Sequence, residues 1–191
     1  MDDPIEILGR WIEDARRAGA QAPAAMSLAT ATIEGQPSLR MVSLKRLDGE
    51  GLVFTSGLLT RKVKELIANP YVAATFYWPE LGRQARIEGL AGPVTRELTV
   101  ELFAERPRSH QLQAHASKQG EEIDDLDALR DRLETIDAEL GEAPVPCPDD
   151  WGAIRIVPNR VELWEEAPDR LHERLLFEAG DGGWRRSLLA P

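Results

Sequence analysis

Three groups of cationic side chains have the types and spacing to do chemistry. Thr60-Arg61-Lys62 opens a helix-like run, RKVKELIAN, just after a strand-like stretch and a turn containing glycine. Free backbone N–H groups and the helix dipole already favour an anion there. Two cations in the first turn run against the usual dipole preference and call for a negative group to offset them. A solvated basic turn is the plain alternative. Arg170-Leu171-His172-Glu173-Arg174 falls in a stretch that reads as a strand. A period of two puts Arg170, His172 and Arg174 on one face, a row of donors suited to an acidic ligand or to internal carboxylates. Arg40 and Lys45 lie on another predicted strand, where strict alternation sends them to opposite faces. They serve one site only across a twist, a bulge or a subunit junction. Gln84, Trp164 and Ser117-Lys118-Gln119 carry little signal individually.

The elements that position these groups are legible from periodicity. Ile5, Leu8, Trp11, Ile12 and Ala15 have amphipathic helical spacing, with Asp3 or Asp2 as the cap and an end near Gly19. From Ala24 the pattern turns to strands: AAMSLATATI, PSLRMVSLKRL and LVFTS, joined by glycine turns into a meander. After the short helix, closed by Asn69-Pro70, YVAATFYW and RQARIEGLAGPV read as a further pair. Helices are expected over 96–104, 109–117 and 123–140, then a proline-rich connector. The last strands are WGAIRIV, RVELWEE, RLHERLLFE and GWRRSLL, separated at Pro158-Asn159, Pro168-Asp169 and Asp181-Gly182-Gly183. Early and late strands flanking inserted helices predict an α+β chain: one antiparallel barrel over residues 1–191, completed by the C-terminal hairpins.

Composition narrows the function classes. The 191 residues carry 23 Lys and Arg against 33 Asp and Glu, a formal charge of −10 that repels phosphate backbones and anionic lipid. Nucleic-acid and membrane partners are not expected. No apolar run approaches a spanning helix and the first residues are acidic, so the chain reads as cytoplasmic. Cys147 stands alone in a proline-rich loop and forms no internal disulfide. His110, His115 and His172 lack the spacing of a metalloprotease helix, and no metal is expected. GxSxG, Walker and GxGxxG motifs are absent.

Taken in order, the segments DPIEILGRWIEDA, GQPSLRMVSLK, GLVFTSGLLTRK, NPYVAATFYW, RQARIEG, RPRS, SKQ, VELWEE, RLHERL and LLAP resemble the pyridoxine/pyridoxamine 5′-phosphate oxidase family across nearly the whole chain. The resemblance implies a Greek-key split β-barrel with peripheral helices. It also implies a homodimer with FMN at the subunit interface, the strands of about 151–191 serving dimerisation and substrate. Carried over by position, it assigns Arg40, Met41, Val42, Ser43, Leu44, Lys45, Phe54 and Thr55 to the flavin. Arg61 and Lys62 would hold its phosphate, and Gln84, Gln119, Gly120, Trp164 and Arg174 would complete the shell. Lys45, Arg106, His110, Arg170 and His172 match substrate positions, with Arg106 on the substrate phosphate and Arg170 and His172, the implied catalytic pair, over its pyridine ring.

The chain departs from the family where a tyrosine and a serine around Arg106 become Leu102 and His110, and where Gly120 and Phe54 replace hydroxyl residues. Loss of one donor to a phosphate costs about 1.5–3 kcal/mol. The implied activity is FMN-dependent oxidation of pyridoxamine or pyridoxine 5′-phosphate to pyridoxal 5′-phosphate, with O2 reduced to H2O2. The alternatives are a phenazine-biosynthesis-type FMN oxidase, acting on a reduced tricyclic substrate in an apolar pocket lined by Leu102, and a non-catalytic flavin- or pyridoxal-phosphate-binding protein.

Overall fold

The computed structural model describes residues 3–191. Helix α1 (Pro4–Arg17) begins where the Asp3 carboxylate accepts the Ile5 N–H at 2.8 Å and proline occupies the first turn, where a missing N–H costs nothing. Asp2 lies outside the described residues. The helix buries Ile5, Leu8, Ile12 and Ala15 against the sheet. Strands β1 (Ala25–Ala31), β2 (Pro37–Asp48) and β3 (Gly51–Gly57) form the expected meander, followed by α2 (Arg61–Ala68). Strands β4 (Tyr71–Trp78) and β5 (Arg83–Pro93) precede helices α3 (Arg96–Ala104), α4 (Arg108–Ala116) and α5 (Leu126–Leu140). The chain ends in β6 (Trp151–Glu165), β7 (Glu173–Gly180) and β8 (Gly183–Leu188).

All strand pairings are antiparallel, in the order β3-β2-β1-β4-β5-β6-β7-β8. A further β3–β6 pairing closes the first six into a barrel. The fourth strand returns beside the first, which is the Greek-key order. Phe54, Phe76, Met26, Leu28 and Ile87 fill the interior, sealed by α1 and α2. Alternation along β3 sends Val53 outward, into a second core with Leu102, Phe103, Leu112, Val145, Trp151 and Ala153 under the α3–α5 helices.

Two sequence-based expectations fail, both at prolines. Pro158-Asn159 does not separate two strands. Strand β6 runs through it for 15 residues and changes partner there, pairing with β3 over 151–156 and with β7 over 160–165. A residue without an N–H sits at the changeover, and the facing register slips between Glu88 and Gly89. Gly89 is needed for this: a Cβ there would lie 2.2 Å from the Val157 carbonyl oxygen. The second correction concerns Arg170, Leu171 and His172, which are not strand residues, since β7 starts at Glu173. The Asp169 carboxylate takes the Leu171 N–H at 3.0 Å, and Arg170 adopts φ +68°, so the segment is a turn.

Candidate functional site

Arg40 and Lys45 keep opposite phases of the alternation along β2, Arg40 half-buried and Lys45 exposed, and one cleft takes residues of both phases. A β-bulge ends this stretch, where pairing of β2 with β3 slips between Leu44 and Arg46. Arg40, Met41, Val42, Ser43 and Lys45 line this cleft, of about 560 Å³, with Thr55 of β3, Arg61 and Lys62 of α2, and Gln119 and Gly120. Gln119 is tethered to the end of β3, accepting the Gly57 N–H at 3.3 Å. Leu44 packs against the main core instead. Phe54 does too: its side chain is wholly buried in the barrel and does not line the cleft, which Thr55 beside it does.

The cleft floor is a network of cations around one acid. Glu65, buried on α2, accepts the Arg61 Nε–H at 2.7 Å through Oε1 and the Ser38 hydroxyl at 2.6 Å through Oε2, which also takes the Thr30 hydroxyl. Arg40 donates to the same two hydroxyls and to the Leu28 carbonyl, with a guanidinium nitrogen 3.5 Å from the Glu65 carboxylate. Hydrogen bonds from Ser38 and Thr30, followed by Arg61, hold the Glu65 carboxyl down at about 2 despite its burial. Burial lowers the Arg40 pKa, and the Glu65 charge opposes that shift.

Lys62 has no such counterweight. It is 8 % exposed, and its Nζ donates to the Ser56 hydroxyl at 2.9 Å and, more weakly, to Thr60 at 3.4 Å. No carboxylate pairs with it among the described residues, and burial followed by the Arg40 charge pushes its pKa down. A buried ammonium with only neutral partners is costly unless an anion joins it. The donor set therefore fits a phosphate monoester, the anionic end of FMN.

Other expected site residues fall in different places. Gln84, Trp164 and Arg174 are cross-strand neighbours on β5, β6 and β7, outside this cleft. His172 lies against Trp164, ring centroids 4.9 Å apart and planes tilted by 47°, and its Nδ1 accepts the Ala167 N–H at 3.1 Å. That bond leaves the proton on Nε2, free to donate. Arg174 is held by the buried Glu162 at 2.8 Å and donates to the Ala190 carbonyl. Arg106 lines an adjoining cavity of about 240 Å³ that shares Thr55, Thr60 and Gln119 with the cleft. Its guanidinium lies 5.1 Å over Trp151, and its Nη1 is buried without a hydrogen-bond partner. His110 is exposed in the first turn of α4 and lines neither cavity. Leu102 is packed in the second core, so the apolar pocket expected from it is not formed by that side chain.

Glu65 and Glu162 escaped the sequence reading. The signal for Glu65 lies on α2, where Lys62 and Glu65 share the buried side with Val63 and Leu66.

Residues 12–139 match the family model described as pyridoxamine 5′-phosphate oxidase, and 151–191 match the pyridoxine 5′-phosphate oxidase C-terminal dimerisation region. The chain belongs to the pyridoxamine 5′-phosphate oxidase family. Its members are FMN-dependent oxidoreductases. The chain is 47% identical to a pyridoxine/pyridoxamine 5′-phosphate oxidase of Rubrobacter xylanophilus over 189 residues, covering 99% of this chain and 87% of that one. It is 40% identical to the corresponding oxidase of Gluconobacter oxydans, covering 99% and 94%. Among solved structures it is similar to PhzG from Burkholderia lata 383, in complex with tetrahydrophenazine-1-carboxylic acid, with TM-score 0.95 and 33% identity over 100% and 94% of the two chains. A pyridoxamine 5′-phosphate oxidase-related FMN-binding protein of Nostoc punctiforme shares the fold at TM-score 0.81 and 17% identity, over 100% of both chains. Among the described residues, no helix of the family member is long and apolar enough to cross a membrane.

Proposed function

We propose that the chain is an FMN-dependent oxidase that converts pyridoxamine or pyridoxine 5′-phosphate to pyridoxal 5′-phosphate, reducing O2 to H2O2, and that it works as a homodimer. The observation that carries this reading is the buried, anion-less Lys62 beside Arg40 and Arg61, at the positions where the family resemblance expects a flavin phosphate. Bound FMN would supply the chemistry the side chains lack, a two-electron oxidation at the substrate's exocyclic carbon with oxygen as the final acceptor.

The chain's own groups bind and orient. Arg40, Arg61 and Lys62 grip the flavin phosphate, and Gln119 and Thr55 border the cleft that takes the rest of the cofactor. Arg106, with one unpartnered nitrogen, and Lys45 offer charge to the substrate phosphate. His172 presents its Nε2–H, and Arg170, exposed and free of ion pairs among the described residues, supplies a second donor. Neither is required to move a proton in that oxidation. Gln84, Trp164, His172 and Arg174 lie outside the cleft within one chain. A second copy supplying them to its partner's flavin is consistent with the matched dimerisation region.

The test is turnover of pyridoxine 5′-phosphate by FMN-loaded protein, read as aldehyde and peroxide formed in equal amounts, with Arg106→Ala and Arg170→Ala as controls. Oxidation of a dihydrophenazine carboxylate in place of the phosphate ester would favour the PhzG-like reading, which the 0.95 TM-score keeps in play. Tight flavin binding with no peroxide from either substrate would leave a binding protein.

A further inference from the structure

We infer that Glu65 is a positioning residue that locks the flavin-phosphate cradle in its gripping geometry before the cofactor arrives. The inference rests on the reading that FMN sits in the cleft. Both arginines of the cradle are tied to this carboxylate. Arg61 bonds Oε1 directly, while Arg40 lies 3.5 Å from Oε2 and is hydrogen-bonded to it through Ser38 and Thr30. The path through the hydroxyls has a fixed polarity. Each hydroxyl has one proton; an ionised carboxylate only accepts, so both protons point at Glu65 and the lone pairs face Arg40. Two strands and a helix are thereby joined, since Thr30 lies on β1, Ser38 and Arg40 on β2, and Arg61 and Glu65 on α2.

Charge explains why a single acid suffices. Arg40, Arg61 and Lys62 against Glu65 leave a net formal charge of +2. A phosphate monoester carries roughly −1.5 to −2 at neutral pH, so the filled cradle is close to neutral. Without Glu65, three cations would repel one another and the two arginines would lose their anchor, so that cofactor binding would have to order them. Arg61 is 63% exposed along its side chain, which makes it the member most dependent on that tether.

The experiment compares FMN with riboflavin, which lacks the phosphate, by titrating each into apoprotein of wild type, Glu65→Ala and Glu65→Gln and following flavin fluorescence. The expected result is that Glu65→Ala lowers the preference for FMN over riboflavin by about 10- to 100-fold, the size of one or two charge-assisted hydrogen bonds, with riboflavin affinity little changed. Glu65→Gln keeps an acceptor for Arg61 but gives the hydroxyls a donor to face, and lowers the preference by a smaller factor. It carries the test if the alanine variant does not fold by circular dichroism. An equal loss of both flavins means that Glu65 is merely structural and overturns the inference. An unchanged or increased preference for FMN overturns it as well, because the carboxylate would then only subtract charge. Wild type with no preference for FMN removes the cradle reading and the role of Glu65 together; wild type with a strong one leaves the variants to decide the role alone.

Discussion

Glu65 and Glu162 are both buried carboxylates that each hold two arginines, and the regions around them differ in what is left over. On β6, Glu162 pairs with Arg86 at 2.9 Å and with Arg174 at 2.8 Å. Arg174 spends a further donor on the Ala190 carbonyl, and no buried lysine stands nearby among the polar buried residues described. At the cradle, the same acid-with-two-arginines unit has Lys62 added to it, buried at the cleft with only hydroxyl partners. One region leaves a formal +1, on arginines that reach solvent, and joins three strands. The other is built with a surplus that only a ligand cancels. An identical motif therefore reads as architecture or as a binding site according to the charge it leaves unanswered.

The comparison breaks most readily at Lys62. Lys62→Met should weaken FMN binding by about 10- to 100-fold in flavin titrations while raising the melting temperature of the apoprotein, because an unpaired buried charge is removed. A fall in both would place Lys62 with Glu162 as a structural residue. Glu162→Gln should do the converse, lowering apoprotein stability by about 1–3 kcal/mol in urea unfolding as two arginines lose a charged partner, with FMN affinity affected less than in Lys62→Met. The pH dependence sharpens the contrast further. Glu65 falls from 4.5 in the unfolded chain to about 2 in the fold, so its stabilising contribution is full above about pH 4.5 and drains away as the pH drops toward 2. Acid titration of the apoprotein should show that loss in wild type and a flatter profile in Glu65→Gln. The smallest effect is expected at Arg170, whose φ of +68° strains a side-chain-bearing residue. Arg170→Gly should change stability by at most about 1 kcal/mol while cutting turnover, since the guanidinium is lost with the strain.

Much of the fold was legible because its determinants are local. Alternation marks β1, β2, β4 and β5, Asp3-Pro4 marks the start of α1, and Asn69-Pro70 marks the end of α2. What escaped depends on partners distant in sequence. The bulge at 44–46 arises from the register with β3, and nothing within β2 announces it. Pro158 looked like a terminator because a proline lacks its N–H. Its effect here is set by β3 and β7 sharing one edge of β6 in succession. Arg170 and His172 were read onto a strand whose first residue is Glu173, because the Asp169 side chain bends the chain before pairing starts. The cations of the cradle stood out by type; the acid that organises them lies on a helix face whose burial only the barrel defines.

Among the described residues, closing the first six strands leaves a single unpaired border in the sheet, that of β8. Its open N–H and C=O groups would template the addition of a foreign strand, the first step toward fibrous self-association. Arg185 and Arg186 sit on that border in tandem, with Arg185 tied to Glu178 of β7. Like charges brought face to face repel, so a stray copy approaching edge-on meets a barrier where the backbone is most inviting. This border lies within residues 151–191, the part of the chain that matches the C-terminal dimerisation region.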